Sequence, residues 1–170
     1  MIAVACCDLA GAVGKDGGLA VEDERDMRVF RELTTGGALI MGRRTHENIV
    51  SRAGGTLSDR SHVVLTTRGA DEVSLADEDD VTLAGHAAAA LRRASNRADE
   101  VFCVGGVSCW ETMLPACDEL WLTIVHRRVD GADAFFPDWR PSDHGWLNTG
   151  GFGYAGDIEW RKYRRRRASA

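Results

Sequence analysis

The sequence predicts an α/β fold, with a mostly parallel central sheet, helices on both faces and a C-terminal antiparallel hairpin. The first observation is a series of short apolar runs, several bounded by glycine, as in strands buried on both faces. The second is that helical patterns alternate with these runs, which is typical of βαβ units. The third is that residues 146–165 carry no helical stripe and contain two strand-like segments around glycines.

Each element has its own signal. The predicted strands are apolar or rich in β-branched side chains and cover residues 2–7, 38–41, 62–67, 81–84, 101–104 and 120–125. The predicted helices cover residues 24–34, 44–50, 86–96 and 108–114, and Pro115 stops the last of them. The hairpin is predicted to pair residues 146–149 with 157–163 across a glycine-rich turn.

Length and charge exclude several classes of protein. The 170 residues suit one domain over 1–170, with a solvated, frayed basic tail at about 164–170. The net charge is −5, and six of the 21 basic residues lie within 161–167, so the rest of the chain is acidic and unsuited to general nucleic-acid binding. No apolar run reaches the roughly 18 residues of a membrane span, and the short apolar start does not resemble a signal peptide.

The cysteines and histidines indicate neither disulfides nor a metal site. The five cysteines show no repeated CxxC spacing, and the adjacent pair Cys6 and Cys7 cannot easily bridge. We therefore expect reduced thiols, with Cys103 and Cys109 in the core, in a monomeric cytoplasmic protein. The histidines are scattered, and no HExxH or paired CxxC occurs, so no metal site is expected.

Asp26 is the first candidate functional residue, since ligands of such sheets bind at the carboxyl ends of strands. It precedes Val29, Phe30 and Leu33 by three, four and seven residues, which places its carboxylate on the apolar face of the predicted helix. A carboxylate in a partly dry cleft has a raised pKa and can bind a cationic or amidine-like edge. The alternative is an ordinary acid in the first helical turn, where negative charge is favourable.

Three segments at predicted strand ends suit a phosphate-bearing ligand. Residues 41–45, Met-Gly-Arg-Arg-Thr, place two guanidinium groups at a helix N-terminus, and the Gly105–Gly106 pair allows close backbone approach. Residues 65–68, Leu-Thr-Thr-Arg, add hydroxyls and a cation. Each segment alone is also compatible with a plain turn, and the glycine pair does not match GxGxxG. Thr123, polar in an apolar strand, is either functional or bonded to a backbone carbonyl.

Taken in order, these segments resemble the dihydrofolate reductase family over about residues 1–165. The stretch DMRVFRELT is similar to the family's D-x-x-x-F-[KR]-x-x-T helix, and IMGRRTHENI to its V-M-G-R-x-T-x-E-S-I segment, the most specific single match. VFCVGGVSCWETMLP resembles V-x-G-G-x-x-[VI]-[YW]-x-x-[FL], and LWLTIVHRRVDGADAFFPD resembles an L-x-L-T strand followed by an acid and F-P. The opening IAVACCDLAGAVGKDGGL resembles the first strand and mobile loop.

The resemblance implies NADPH-dependent reduction of 7,8-dihydrofolate to tetrahydrofolate, in support of one-carbon and thymidylate metabolism. Asp26 would pair with the amino-pyrimidine edge of the pterin and favour protonation of nitrogen 5 through water, with support from Thr123. The implied substrate-binding residues are Val4, Ala5 and Cys6 at the pterin floor, Met27, Phe30 and Ile49 as walls, Leu57 at the benzoyl ring and Arg60 at the glutamate α-carboxylate. The implied cofactor-binding residues are Val13, Gly14, Gly42, Arg43, Arg44, Thr45, Leu65, Thr66, Thr67, Arg68, Val104, Gly105, Gly106, Val107, Ser108 and Trp110.

This sequence departs from the family's pattern at three places. Residues 17–21, Gly-Gly-Leu-Ala-Val, stand where family members carry Pro-Trp, so we expect altered closure of the loop over 9–23. Ser58 and Asp59 replace a Pro-Gly pair, one or two residues are inserted after Ile49, and the added acid would partly neutralise Arg60. Ser108 stands where an arginine often helps to bind phosphate, which leaves the preference for NADPH over NADH to Arg44 and Arg68.

Two other functions remain open from the sequence. One is a pyrimidine-type reductase of the kind found in riboflavin synthesis, which shares the scaffold and the cofactor glycines but usually lacks the D-x-x-x-F-[KR] helix. The other is a non-catalytic binding protein that uses the arginine-rich tail for a partner. The joint presence of Asp26, Phe30 and Arg60 favours folate.

Overall fold

The structure, a computed structural model, describes residues 1–74, 78–137 and 145–166. The helices in these ranges are α1 (Glu24–Thr34), α2 (Arg43–Ala53), α3 (Ala87–Ser95) and α4 (Val107–Met113), with 3₁₀ turns at Ala70–Glu72 and Leu114–Ala116. The strands are β1 (Ile2–Asp8), β2 (Ala12–Lys15), β3 (Gly18–Leu19), β4 (Ala38–Gly42), β5 (Ser61–Leu65), β6 (Val81–Ala84), β7 (Val101–Gly105), β8 (Glu119–Val125), β9 (Ala134–Phe135), β10 (Trp146–Ala155) and β11 (Ile158–Arg165).

The described strands form one large mixed sheet, in the order β10-β11-β8-β1-β7-β4-β5-β6. The strands from β8 to β6 run parallel to their neighbours, whereas β11 pairs antiparallel with β8 and β10 pairs antiparallel with β11. The predicted fold class is therefore confirmed, including the C-terminal hairpin at one edge. None of the helices in the described ranges has the length and apolar character needed to cross a bilayer.

Successive side chains of a strand point to opposite faces of the sheet. Both faces of this sheet carry apolar side chains, and helices cover both. On one face, alanines of α3 and Cys109, Trp110 and Met113 of α4 pack on Ala3, Ala5 and Ile40. On the other face, Phe30 and Leu33 of α1 and Ile49 of α2 pack on Leu39, Met41 and Phe102. All five cysteines are free thiols, and Cys103 and Cys109 are buried in the core, as expected.

Several predicted boundaries are off by a few residues, for local reasons. Strand β5 ends at Leu65 rather than residue 67, because the Thr66 hydroxyl accepts the Arg68 amide at 3.1 Å and turns the chain. Helix α2 extends to Ala53 and ends at Gly54, whose φ of 76° is the left-handed conformation that favours glycine. Pro115 lies within the second 3₁₀ turn, two residues beyond the end of α4.

The glycines of the hairpin lie in a strand rather than in the turn. We expected residues 146–149 to form the first strand, but β10 runs through Gly150, Gly151 and Gly153 to Ala155, with shifts of register between them. Such bulges keep a glycine-rich strand paired. The turn itself is at Gly156, whose φ is 63°.

A small second sheet, in the order β3-β2-β9, was not predicted. Strands β2 and β3 lie within residues 9–23, which we had expected to be a plain loop. Both strands contain glycine and are too short to show an apolar alternation.

The predicted basic tail begins too early. Arg164 and Arg165 belong to β11, and Arg165 donates from Nε to the Cys117 carbonyl at 2.8 Å and from Nη2 to the Leu114 carbonyl. Its guanidinium also lies 4.3 Å from the centre of the Trp146 ring. Residues 167–170 of the predicted tail lie outside the described residues, as does Asp138 of the F-P-D stretch.

Arg165→Ala is expected to lower the melting temperature, because two carbonyls and one indole face lose a shared cationic partner. Charge-assisted hydrogen bonds contribute roughly 1.5–3 kcal/mol each in favourable cases, and cation–π contacts about 0.5–2 kcal/mol. Thermal unfolding would measure the loss, with Arg166→Ala as the matched control because the Arg166 residue is exposed. Equal melting temperatures for the two variants would show that Arg165 has no structural role.

Candidate active site

A cleft of about 1320 Å³ opens at the carboxyl ends of β4, β5 and β7. Most of the predicted cofactor residues line it, together with three of the predicted substrate residues. These lining residues are Val13, Gly14, Met27, Gly42, Arg43, Arg44, Thr45, Ile49, Leu57, Leu65, Thr66, Thr67, Arg68, Val104, Gly106, Val107, Ser108 and Trp110. The arrangement is that of a ligand site at the strand ends of an open sheet.

The start of α2 is built to receive an anion. Its N-cap, Gly42, provides no side-chain hydrogen bond, and the first turn contains no acid, so the amides at this end keep their partial positive charge. Arg44 is exposed, whereas Arg43 forms an ion pair with Glu47 at 2.5 Å. Of the two adjacent guanidinium groups, Arg44 is therefore the one without this internal acid.

The glycine pair brings two strand-to-helix turns into contact. A Cβ on Gly105 would lie 2.6 Å from the Trp110 ring, and one on Gly106 would lie 3.3 Å from the Thr45 hydroxyl. Gly105 also has a φ of 100°. Glycine is therefore required at 105 by its conformation and by the indole, and of the pair only Gly106 is among the residues that line the cleft.

Asp26 lies in the first turn of α1, on its sheet-facing side, and is half-buried. Asp23 caps this helix by accepting from the Arg25 amide at 2.8 Å. The Thr123 hydroxyl of β8 donates to Oδ1 of Asp26 at 2.5 Å. Burial raises the pKa of the Asp26 carboxyl, while the hydrogen bonds from Thr123 and the Cys6 thiol lower it and Asp23 adds a small increase.

Asp26 and Thr123 do not line the cleft itself but a small cavity of about 10 Å³ between α1 and the sheet. Val4, Phe30 and Trp160 also line this cavity. An apolar cluster joins the two spaces, because Val4 and Phe30 pack in one group with Ile49 and Leu57 from the cleft. The half-buried carboxylate thus lies beside the side chains predicted to hold the pterin.

The side chain of Ala5 points to the opposite face of the sheet. It packs in the core cluster that contains Trp110, whereas Val4 and Cys6 face α1. Of the three predicted floor residues, Ala5 can therefore contribute only its backbone on the Asp26 side.

Arg60, the predicted carboxylate-binding residue, directly precedes β5, does not line the cleft and is 8% exposed. Its guanidinium donates to the Thr35 hydroxyl at 3.1 Å, and its Nε has no hydrogen-bond partner among the described residues. Burial lowers the pKa of Arg60, nearby Arg31 lowers it further, and Asp59 opposes this only as the weakest influence. The neutralisation by Asp59 that we expected is therefore minor.

Comparison of the whole chain with models of known protein families identifies its family. The family model described as "Dihydrofolate reductase" matches residues 1–151. The chain belongs to the dihydrofolate reductase family.

Relatives and solved structures agree. Dihydrofolate reductase HdrB of Haloferax volcanii is 33% identical over 138 residues, covering 81% of this chain and 69% of the relative. The Bacillus subtilis enzyme is 29% identical over 138 residues, covering 77% and 71%. A structure of dihydrofolate reductase from Enterococcus faecalis, complexed with NADP(H) and RAB-propyl, matches with a TM-score of 0.79 and 25% identity over 96% of this chain and 95% of that one.

Part of the segment that stands in place of the family's Pro-Trp lines the cleft, at Gly17, Gly18 and Leu19. Asn48 of α2 donates to the Gly17 carbonyl at 2.6 Å, and Arg52 of α2 pairs with Glu22 at 2.7 Å. Val21 is buried with Val125 and Trp160. These two contacts therefore connect residues 17–22 to α2. Asn48 and Arg52 were missed from the sequence because their partners are distant along the chain.

A buried histidine pair, His46 and His62, supports the chain at Leu57. The Leu57 amide donates to Nε2 of His62 at 3.2 Å, so His62 carries its proton on Nδ1 and donates to Nδ1 of His46 at 3.3 Å. His46 in turn donates from Nε2 to the Ser74 carbonyl at 2.9 Å. The chain of donors is complete only while both rings are neutral. Neither ring is predicted by sequence patterns, because the pairing depends on the packing of α2 against β5.

We expect acid to destabilise the fold through His62. Burial lowers the pKa of His62 from 6.5 to about 4, with smaller contributions from His46 and Arg60. A depressed histidine pKa gives stability that is complete above 6.5 and is lost as the pH falls towards 4. Urea unfolding over this range would show less acid sensitivity in His62→Asn than in wild type. An unchanged pH dependence in His62→Asn would refute this role.

Proposed function

We propose that the protein reduces 7,8-dihydrofolate to 5,6,7,8-tetrahydrofolate with NADPH. The observation that supports this most is the half-buried Asp26, bonded to Thr123 in a small cavity whose apolar residues adjoin a cleft with an anion-binding rim. The reaction takes a hydride at carbon 6 of the pterin and a proton at nitrogen 5, and leaves NADP⁺. The protein supplies no nucleophile; it binds, orients and protonates.

The residues at the strand ends fit a phosphate-bearing dinucleotide. The uncapped start of α2 and exposed Arg44 fit a phosphate, and Gly105 and Gly106 leave space for close approach. Thr66, Thr67 and Arg68 follow the next strand and would hold the adenosine side, with Arg68 partly engaged by Glu72 at 3.6 Å. NADPH, when bound, supplies the hydride. Val13, Gly14 and Trp110 would bound the nicotinamide end.

The substrate residues fit the parts of a folate. We propose that Asp26 binds the amino-pyrimidine edge of the pterin, with Val4, Cys6 and Phe30 beneath the ring and Met27, Ile49 and Leu57 around the rest. Arg60, with an unpartnered Nε, would bind the glutamate α-carboxylate. Thr123 supports the ionised form of Asp26 by donating to it.

The raised pKa of Asp26 suits it to proton delivery. A carboxyl that keeps its proton closer to neutral pH is a better general acid there than an exposed one. Closure of residues 17–22 over the cleft would exclude water and hold the two rings together. We further propose that the chain acts as a single-domain monomer in the cytoplasm; the five free thiols support a reducing compartment.

A turnover assay tests the function. Purified protein with NADPH should lose the cofactor's absorbance when dihydrofolate is added, and should not do so with a pyrimidine-type substrate. Stoichiometric NADPH binding without dihydrofolate-dependent oxidation would contradict the proposal and favour a binding role. Oxidation with the pyrimidine-type substrate alone would favour the other reductase.

A further inference from the structure

Trp160 of β11 is a buried indole whose N–H has no protein partner. The residue is 8% exposed, and Nε1 makes no hydrogen bond to any described residue. Among the buried side-chain nitrogen and oxygen atoms of the described ranges, only one other lacks a hydrogen-bond partner, and it is Nε of Arg60 in the proposed substrate site. Buried donors are almost always satisfied by protein or by ordered water, so an orphan at this place points to a bound partner.

The fold turns this N–H towards Asp26. Trp160 pairs with Thr123 in the register of β11 and β8, and Thr123 pairs with Cys6 in the register of β8 and β1, so the three side chains form a row on the α1 face. A Cβ on Gly153 of β10 would lie 3.3 Å from Cε3 of the indole and 3.7 Å from Cζ3. That long edge of the ring therefore faces β10. Nε1 is on the opposite edge, which faces β8 and the Thr123–Asp26 pair.

The space between them has the size and the partners for one water molecule. The cavity has a volume of about 10 Å³ and is lined by Trp160, Thr123 and Asp26. A cavity holds an ordered water when it offers roughly one probe sphere of volume and two to four polar partners. The indole N–H is a donor, the ionised carboxylate is an acceptor, and the threonine hydroxyl is both. The other walls, including Val29, Phe30 and Leu33, are apolar and fix the position of the water.

We propose that Trp160 is a positioning residue whose indole N–H binds one water molecule and holds it against the carboxylate of Asp26. The water accepts from Nε1 and donates to Asp26, so it stabilises the ionised carboxylate and lies on the route by which that group exchanges protons. The binding of the water is independent of the proposed dihydrofolate reduction, whereas its effect on turnover rests on that function. The titratable groups that face Asp26 are Cys6 from β1 and Asp23 from its own helix cap.

The presence of the bound water can be tested without an activity assay. A high-resolution crystal structure of the wild type should show a water about 3 Å from both Nε1 of Trp160 and a carboxylate oxygen of Asp26. In solution, the Trp160 indole N–H resonance should move with the titration of Asp26 and stop doing so in Asp26→Asn. The Trp146 indole, buried on the neighbouring strand β10, is the matched control and should not follow that titration. A dry cavity, or a Trp160 resonance that ignores Asp26, would overturn the proposal.

The role in turnover is tested by Trp160→Phe, which keeps the ring and removes the donor. Loss of one hydrogen bond to the water is expected to lower kcat about tenfold at low pH, where Asp26 is protonated in both proteins, because the route for the proton is disrupted. It is also expected to leave the KM for NADPH unchanged and to raise the pKa of Asp26. Trp146→Phe should change none of the three. If Trp160→Phe and Trp146→Phe lower kcat equally without moving the pKa, Trp160 is only structural. If the wild type shows the water but never oxidises NADPH with dihydrofolate, the water site stands and the proposed function fails.

Discussion

Asp26→Asn is expected to lower kcat for dihydrofolate by about a hundredfold or more near neutral pH, the usual contribution of a general acid–base group. Asparagine keeps the shape and can still accept the hydrogen bond from Thr123, but it carries no proton that it can deliver. The loss should shrink at low pH, where solvent supplies protons readily. Steady-state turnover over a range of pH would measure both effects.

The same substitution should stabilise the fold at neutral pH. The folded-state pKa of Asp26 is raised by burial, so its ionised form is disfavoured in the native protein. A raised carboxyl pKa gives stability that is complete below the unfolded pKa of 3.8 and is lost as the pH rises through the folded pKa. Asp26→Asn should therefore melt higher than wild type at pH 7 and show no such gain well below 3.8.

Glu24→Gln is the matched control for Asp26→Asn. Glu24 lies in the same first turn of α1 but is exposed, so its removal changes the local charge equally without touching the cavity. It should leave kcat near the wild-type value. A wild-type kcat in Asp26→Asn, or an equal loss in both variants, would show that the chemistry does not depend on the Asp26 carboxyl.

Arg60→Leu is expected to raise the KM for dihydrofolate by about one to two orders of magnitude, because a buried charge-assisted pair contributes roughly 1.5–3 kcal/mol. The KM for NADPH should change little. Arg60 precedes the amino end of β5, whereas the proposed cofactor residues Thr66, Thr67 and Arg68 follow its carboxyl end. The expectation rests on the proposed contact between the Arg60 guanidinium and the glutamate α-carboxylate.

Arg28→Leu controls for the removal of positive charge near α1, because Arg28 is exposed on that helix. A folate analogue without the glutamate should bind wild type and Arg60→Leu equally. If Arg60→Leu raises both KM values by the same factor, Arg60 holds the structure rather than the substrate. Its contact with Thr35 would then be its main role.

The spacing of apolar residues along the chain predicted the helices and the parallel strands, because both depend on local sequence. The spacing of Asp26 from Phe30 and Leu33 placed the acid on the packed face of α1, and apolar runs located the parallel strands within a few residues. The direction of Ala5 was available from the same alternation, since neighbours in a strand face opposite sides. The resemblance to the family had grouped it with Val4 and Cys6 instead.

Features that depend on distant pairing could not be read from the sequence. Trp160 reaches Asp26 only because β11 pairs with β8 in one register. The His46–His62 pair requires α2 to pack on β5, and the contacts of Asn48 and Arg52 require residues 17–22 to lie beside α2. The role of Arg165 was missed because its carbonyl partners lie about fifty residues away, beside β8.

The most direct test of the Asp26 assignment is the pH dependence of the hydride step in a single turnover, with wild type and Asp26→Asn compared. The rate in wild type should fall as the pH rises through a single pKa above 3.8, because the protonated carboxyl is the competent form. Asp26→Asn should be slow and lack that transition. A wild-type rate that does not change with pH, or the same transition in both proteins, would contradict the account.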